Sequence, residues 1–324
     1  MREHKAKLSL LSILSDGQFH SGERLGEQLG ISRAAIGKHI QGIQAWGMDI
    51  YRVQGKGYRL NKPIELLDQA RLESKTSVPI SLIPIIDSTN QYLLDKGEEC
   101  QSGEVCIAEY QAKGRGRRGR EWVSPFGSNL YMSMYWQLEA GMAAAMGLSL
   151  VIGVSVVEAL EQLGVEDVKL KWPNDLYYQD RKLAGILIEM SGQAGGAANL
   201  VIGMGMNLSM SGEQGGITQP WVSLDEVLGD HRIGRNQLAS AIINAWQDSL
   251  EQYEYQGMNG FVERWNRLDN FISREIKLLM GSRVVSGIAQ GINEQGAVLI
   301  ETDKGIESYI GGEISLRSCD TKEQ

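Results

Sequence analysis

Residues 171–190 read KWPNDLYYQDRKLAGILIEM. A short strand breaks at Pro173 into the polar turn Asn174–Asp175, and a hairpin then delivers Lys182 to the head of the apolar run 183–188. A lone lysine in this position is usually solvated. Because other apolar runs of the chain also end in polar residues, we expect Lys182 to share a cleft with them.

Apolar runs on both sides of this stretch predict a mixed sheet. They lie at 79–86, 105–110, 129–137, 168–171, 182–190 and 200–206. In the run 129–137, alternate residues fall on one face, as in a half-buried strand: Leu130, Met132, Met134 and Trp136. We therefore predict an α+β fold in which helices pack on this sheet.

An uncharged segment between Glu139 and Glu158 is long enough to raise the question of a membrane span. Its length is close to the roughly 18–20 apolar residues that a span requires. The segment is rich in Ala, Gly and Ser, and no second segment of this kind occurs. It therefore favours a helix buried in a protein core.

Two further polar segments interrupt the apolar runs. Residues 86–90 read IDSTN, and residues 114–120 read GRGRRGR. Glycine lets backbone N–H groups approach an anion closely, and arginine forks neutralise phosphate or carboxylate oxygens. By itself the arginine-rich segment also fits a nucleic-acid-binding Gly/Arg segment or a solvated basic turn. Gly203 and Gly205 are expected to leave room for a ligand against the sheet.

The charge is distributed unevenly along the chain. The net charge is −8, yet residues 1–60 hold nine Lys or Arg against five Asp or Glu, a net of +4, so the remainder carries −12. A small basic module on an acidic body is typical of a DNA-binding domain joined to another function.

Apolar residues at helical spacing predict three short helices within this basic module. Ser21 and Ser32 are suited to cap the second and third helices, and Gly30 supplies the turn. The helix-turn-helix spans Ser21–Ile40. Three isoleucines of the third helix face inward: Ile36, Ile40 and Ile43. The outward face holds residues suited to base edges and phosphates in a major groove: Ser32, Arg33, Gly37, Lys38 and Gln41.

Two short runs at 50–53 and 58–60 flank a basic, glycine-rich turn and predict a β-hairpin wing. Its basic residues can reach DNA phosphates: Arg52, Lys56 and Arg59. A helical bundle that binds another protein shares the pattern of short helices. The basic excess and the wing favour DNA.

The last fifty residues predict a further small domain. From Glu275 onward, frequent glycines cut the chain into short strands and predict a small β-barrel. We predict domains at 1–62, 63–272 and 273–324.

Three widely spaced cysteines and four scattered histidines predict neither disulfides nor a metal site. No signal peptide is evident, and together these features favour the cytoplasm.

Several separate motifs, in order along the whole chain, resemble one family. They are IDSTNQYLL, GRGRRGR, SPFGSNLYMSM, KWPNDLYYQDRKLAGILIEM and GGEISLR. In this combination the chain resembles the bacterial biotin–protein ligases that also repress the biotin operon. The resemblance implies a winged helix-turn-helix, a central mixed-sheet ligase domain and an SH3-like C-terminal barrel.

The resemblance also implies a two-step reaction. The biotin carboxylate attacks the α-phosphate of ATP, with Mg²⁺, to give biotinyl-5′-AMP and pyrophosphate. A lysine of the biotin carboxyl carrier protein of acetyl-CoA carboxylase then displaces AMP. Biotin binding is assigned by resemblance to Ser88, Thr89, Asn90, Gln111, Arg115, Gly116, Arg117 and Lys182. Nucleotide binding is assigned to Asn174, Asp175, Asn207, Trp221 and Arg317.

The predicted catalytic residues are Lys182, Arg117, Arg115 and Asp175. The three cations suit a reaction between two anions, and Asp175 can orient or deprotonate the incoming lysine. Trp221 fits both an adenine-stacking residue and a buried core tryptophan. Glu313 and Arg317 are candidates to reach toward the nucleotide or the carrier protein.

Regulation follows from the same resemblance. The family binds operator DNA as a homodimer when it holds the adenylate, and we expect segments such as Gly114–Arg120 and Ser191–Gly196 to be ordered by it. Two alternatives stay open: a non-catalytic repressor that senses a ligand, and a lipoate–protein ligase. Neither alternative implies binding to a membrane.

Overall fold

The computed structural model describes residues 4–192, 196–210, 217–281 and 283–310, and the backbone of 314–318. The basic module is a winged helix-turn-helix. Its elements are α1 (Lys5–Leu14), α2 (Gly22–Leu29), α3 (Arg33–Gln44), β1 (Ile50–Val53) and β2 (Gly57–Leu60). Both predicted caps are confirmed, because Ser21 accepts from the Arg24 backbone N–H and Ser32 from that of Ala35. The three isoleucines of α3 are buried.

The central region is a seven-stranded mixed sheet with helices on both faces. Its first half contains α4 (Gln69–Glu73), β3 (Ile80–Leu82), β4 (Ile85–Ile86), α5 (Thr89–Lys96), β5 (Val105–Ala108), β6 (Tyr110–Gln111), β7 (Asn129–Leu138) and α6 (Leu148–Gln162). Its second half contains β8 (Lys169–Lys171), β9 (Asp175–Tyr178), β10 (Arg181–Gly192), β11 (Ala198–Asn207), α7 (Leu224–Leu228), α8 (Arg235–Gln256) and α9 (Val262–Leu268). The strand order is β3-β5-β7-β11-β10-β9-β8, with β3 parallel to β5 and the other pairs antiparallel.

The two faces of this sheet have different surroundings. The predicted row Leu130, Met132, Met134 and Trp136 faces the large core beneath α6 and α8, as do alternate residues of β11. The opposite residues face α5 and a smaller apolar cluster that includes Tyr135 and Val201. Side chains of this second face form the floor of the candidate site.

The predicted strand 79–86 is wrong as a single element. It divides into β3 and β4, which belong to different sheets. Proline lacks a backbone N–H and cannot continue a ladder, and Pro84 lies between the two pieces. Its carbonyl instead accepts from the backbone N–H groups of Glu109 and Tyr110. The predicted strand 105–110 is likewise two elements, β5 and β6, which belong to different sheets.

The uncharged segment forms a buried helix, over a shorter range than predicted. Gly141 and Gly147 have φ values of 78° and 83°, and they bracket a short turn before α6 begins at Leu148. Eleven residues of α6 are buried. In the described part of the chain, no helix is both long and apolar enough to cross a bilayer.

The C-terminal region is a five-stranded antiparallel sheet. Its strands are β12 (Glu275–Met280), β13 (Arg283–Ile292), β14 (Val298–Thr302), β15 (Gly305–Tyr309) and β16 (Ile314–Ser318). The order is β15-β14-β13-β12-β16, and a register shift between Ala289 and Ile292 bends β13. Because β15 and β16 are the edges, the predicted barrel is present as a curled open sheet. The domain boundaries stay a prediction.

The winged helix packs directly on the central region. Trp46 stacks on Phe126 with ring centroids 5.7 Å apart, and the Phe126 N–H donates to the Trp46 carbonyl. A buried ion pair between Arg235 and Glu109, 2.7 Å apart, fixes the following linker. Glu109 also accepts from the Leu67 N–H, and Arg235 donates to the Glu65 carbonyl. The segment that follows the arginine-rich loop therefore also carries the contact to the DNA-binding module.

Asp269 gives the fold a specific pH dependence. Burial raises the pKa of this carboxyl to about 6, although the Phe271 N–H donates to it and Arg274 lies near. Because its folded pKa exceeds its ordinary value of 3.8, this group weakens the fold as the pH rises from about 4 to about 6.

We expect Asp269→Asn to stabilise the protein above pH 7 by up to about 3 kcal/mol, since the amide keeps the acceptor and removes the buried charge. At pH 4 the variant and the parent should be equally stable. Urea unfolding at both pH values measures this. Equal stability at pH 8 would contradict it.

Candidate active site and DNA-binding surface

One chain of hydrogen bonds joins three of the predicted biotin residues near the start of α5, namely Thr89, Asn90 and Gln111. Ser88 caps the helix, and the Thr89 N–H donates to the Gln111 amide oxygen over 2.9 Å. The Ser133 hydroxyl contacts both the Thr89 hydroxyl and the Asn90 amide oxygen. Ser88, Thr89 and Asn90 are buried, so their donors and acceptors are held in fixed directions beside the sheet.

Glu189 connects this chain to the arginine loop, by which we mean Gly114–Arg120. Its Oε2 accepts from Asn90 Nδ2 over 2.9 Å and from Arg115 Nη2 over 2.7 Å. Arg115 Nη1 donates to the Gln91 amide oxygen over 2.8 Å. The loop is thereby held over α5 and β10. No motif or spacing in the sequence distinguishes Glu189.

Glycines allow two side chains to lie on the sheet. A Cβ on Gly203 would lie 1.9 Å from Asn90 Oδ1, and one on Gly205 would lie 2.3 Å from the Trp122 indole. The prediction that these glycines leave room for a ligand is wrong in one respect. The side chains of Asn90 and Trp122 fill the space next to them. The Trp122 indole also lies 5.4 Å from Lys182 Nζ.

The reactive cations gather at the other end of the cleft. Lys182 Nζ lies 2.9 Å from Asp175 Oδ1, with 14% and 16% of the two side chains exposed. Arg117 Nη1 donates to Asn174 Oδ1 over 3.0 Å, and Asn174 Nδ2 donates to the Ile186 carbonyl over 2.6 Å. Burial lowers the pKa of Arg117, and the Asp175 carboxylate opposes that effect. The turn 173–175 thus positions a lysine and an arginine together.

Two of the predicted nucleotide residues, Trp221 and Asn207, lie beside the backbone of Lys182. Its backbone pairs with Pro220 and Val222, which brings Trp221 alongside. Trp221 is half-buried and lines a polar cavity of about 440 Å³, so it is not a core tryptophan. Asn207 is buried and donates to the carbonyls of Lys182 and Val222. It therefore holds the backbone beneath the lysine.

Some predicted residues are not brought into the cleft by described contacts. The backbone of Arg317 pairs with Lys277 on β16, but its side chain lies outside the described residues, as do Glu313 and part of Ser191–Gly196. The Gly116 N–H donates to the Arg120 carbonyl within the loop. In the described residues, no group of three His, Cys, Asp or Glu side chains is placed to hold a metal ion.

The predicted DNA-binding residues share one exposed surface. Ser32, Arg33, Lys38 and Gln41 are exposed on α3. At the wing, Arg52 and Lys56 are exposed, whereas Arg59 is half-buried with its guanidinium 4.8 Å from the Phe19 ring centroid. Arg59 is therefore better placed to support the wing than to extend toward phosphates.

Comparisons with known proteins agree with this architecture. Family models match at residues 7–59 (an HTH domain), 82–207 (the biotin/lipoate A/B protein ligase family) and 271–317 (the biotin protein ligase C-terminal domain). A bifunctional ligase/repressor BirA from Salmonella typhimurium is 53% identical over 99% of this chain and 100% of its own. The chain belongs to the bifunctional ligase/repressor family.

Other members and a solved structure extend the comparison. The bifunctional ligase/repressor BirA of Escherichia coli is 51% identical over 99% of this chain and 100% of its own. A biotin protein ligase from Aquifex aeolicus, solved in complex with biotin and ATP, is 30% identical with a TM-score of 0.67. It covers 74% of this chain and 99% of its own. The ligase/repressor chain thus carries the ligase fold together with an added DNA-binding module.

Proposed function

We propose that this protein is an ATP-dependent biotin–protein ligase that also represses transcription through its winged helix. The observation that carries the ligase proposal is the convergence of Lys182 and Arg117 at the turn 173–175, beside a buried polar row on α5. The full-length similarity to bifunctional ligase/repressors supports both activities.

The arrangement suits a reaction between two anions. The polar side chains of Ser88, Thr89, Asn90 and Gln111 bind biotin. The carboxylate of the bound biotin points toward Lys182. Arg117 and Lys182 stabilise the negative charge that develops as the carboxylate attacks the α-phosphate of ATP. The arginine loop closes over the mixed anhydride and excludes water. We place the nucleotide toward Asn174 and Asn207, with adenine against Trp221.

Magnesium is expected as part of the ATP substrate. Mg²⁺ usually keeps several waters and binds through substrate phosphates together with one or two carboxylates. The carboxylate of Asp175, beside Lys182, fits that mode of binding. The ion would neutralise phosphate charge, while the protein supplies the orientation.

Biotin transfer to a carrier domain tests the ligase proposal. Incubation with biotin, ATP, Mg²⁺ and a biotin carboxyl carrier domain should add one biotin to the carrier, as mass spectrometry will show. A carrier whose target lysine is replaced by arginine serves as the control. Unmodified wild-type carrier would favour the non-catalytic sensor.

Asp175 is proposed to orient or deprotonate the incoming lysine amine. We expect Asp175→Asn to slow biotin transfer from pre-formed adenylate by about 10²–10⁴-fold, the range of a positioned acid or base. Quenched-flow measurement of the transfer step, separate from adenylation, checks this. A normal transfer rate would remove Asp175 from this step.

Repression is proposed to depend on the adenylate and on dimerisation. If the adenylate orders loops at a dimer surface, it must strengthen dimerisation, and dimerisation must tighten adenylate binding equally. Sedimentation with and without biotinyl-AMP measures this coupling.

The cellular location proposed for the protein is the cytoplasm, where operator DNA, the carrier protein and ATP are found. The buried free thiols of Cys100 and Cys106 agree with a reducing compartment.

A further inference from the structure

We propose that Glu189 is a positioning residue that anchors the arginine loop at the biotin end of the cleft. This inference rests on the proposed ligase function. It separates the two loop arginines into different roles: Arg115 holds the loop in place, and Arg117 serves the reacting phosphate.

One carboxylate oxygen of Glu189 accepts two hydrogen bonds. Glu189 Oε2 accepts from Arg115 Nη2 over 2.7 Å and from Asn90 Nδ2 over 2.9 Å. Asn90 is buried and in turn bonded to Ser133. Glu189 therefore ties the loop to the side chain that packs against Gly203, in the middle of the predicted biotin row.

Glu189 also has a rigid support in the central sheet. It lies on β10 opposite Val201 of β11, within a ladder that runs continuously from Ala184 to Gly192. The loop itself is closed by internal backbone bonds, from Gly116 to Arg120 and from Trp122 to Gly114. Its side-chain contacts to the sheet include Arg115 with Glu189 at one end and Arg117 with Asn174 at the other.

The two loop guanidinium groups lie in different places. Arg115 contacts Gln91 and Glu189, whereas Arg117 contacts the turn that also holds Asp175 beside Lys182. Arg115 is thus assigned to anchoring, which revises its predicted catalytic role.

Loss of the anchor should release the loop before any chemistry is affected. With pre-formed biotinyl-AMP added, Glu189→Gln should raise the rate of trypsin cleavage at residues 115–120 by about five- to tenfold, because removing an ion pair increases the open population of the loop. With biotinyl-AMP bound, the same variant should release the adenylate faster by a similar factor, with a smaller change in the rate of its formation.

Arg115→Met and the double variant complete a thermodynamic cycle. If the two residues act through one bond, the double variant should behave like either single variant. Glu158→Gln is the matched control, since Glu158 pairs with Arg264 on the far side of the sheet at a similar exposure, 26% against 29% for Glu189. This control should leave both rates unchanged.

Each outcome decides the question. Faster cleavage and release in Glu189→Gln, without additivity, supports the anchor. Rates equal to those of Glu158→Gln overturn it, as does slower adenylate formation with unchanged cleavage. If wild-type protein forms no adenylate, the proposed function fails, while the cleavage measurement with added biotinyl-AMP still tests Glu189 by itself.

Discussion

Replacing Lys182 with methionine is expected to slow adenylate formation by at least about 10²–10³-fold, the usual effect of losing one donor aimed at developing charge. Lys182 is largely buried beside Asp175 and lies near Arg117 through the turn 173–175. Its ammonium is the cation that reaches the cleft from the head of β10. Single-turnover formation of biotinyl-AMP measures the effect.

The control for Lys182 is a lysine at the edge of the same region. Lys113 pairs with Asp87 on the surface, with 76% of its side chain exposed. Lys113→Met should leave the rate of adenylate formation unchanged. A Lys182→Met variant that folds normally and keeps more than a tenth of the rate would contradict the assignment of Lys182.

The double variant Arg33→Ala/Lys38→Ala is expected to weaken operator binding by about 10²–10⁴-fold, since each base contact contributes about 1–3 kcal/mol. Both side chains are exposed on α3, whose inward isoleucines fix which face meets DNA. Adenylation should be unaffected. Binding to operator and to unrelated DNA, measured at two salt concentrations, separates base recognition from phosphate attraction.

A charge-matched double variant outside the winged helix controls for general electrostatics. Arg71 and Arg267 are exposed at 68% and 54%, and neither belongs to the DNA-binding module. Alanine at both positions should leave operator affinity nearly unchanged. Unchanged operator affinity in the Arg33/Lys38 variant would favour the alternative of a helical module that binds another protein.

Local patterns predicted the parts of the fold that depend on neighbouring residues. Ser21 and Ser32 cap their helices because the capping oxygen and its N–H partner are three residues apart. Alternate apolar residues from Leu130 to Trp136 identified the core face of β7, because successive side chains of a strand point to opposite faces. The missed division of 79–86 had a local signal in Pro84, which the apolar content of the run obscured.

The parts that the sequence did not reveal depend on distant residues. Glu189 and Arg115 are separated by 74 positions, and a single glutamate near the end of an apolar strand resembles an ordinary solvated residue. Trp122 packs on Gly205 from a segment that carries no strand pattern. In both cases only the register of β7, β10 and β11 brings the partners together.

The most direct test of the central claim is biotin-dependent exchange of labelled pyrophosphate into ATP, with lipoate as the control acid. We expect exchange with biotin and none with lipoate, because adenylation at Lys182 and Arg117 is reversible and the polar row on α5 is proposed to select biotin. Exchange with lipoate alone would indicate a lipoate ligase. No exchange with either acid, from folded protein with Mg²⁺, would contradict the claim that this domain catalyses adenylation.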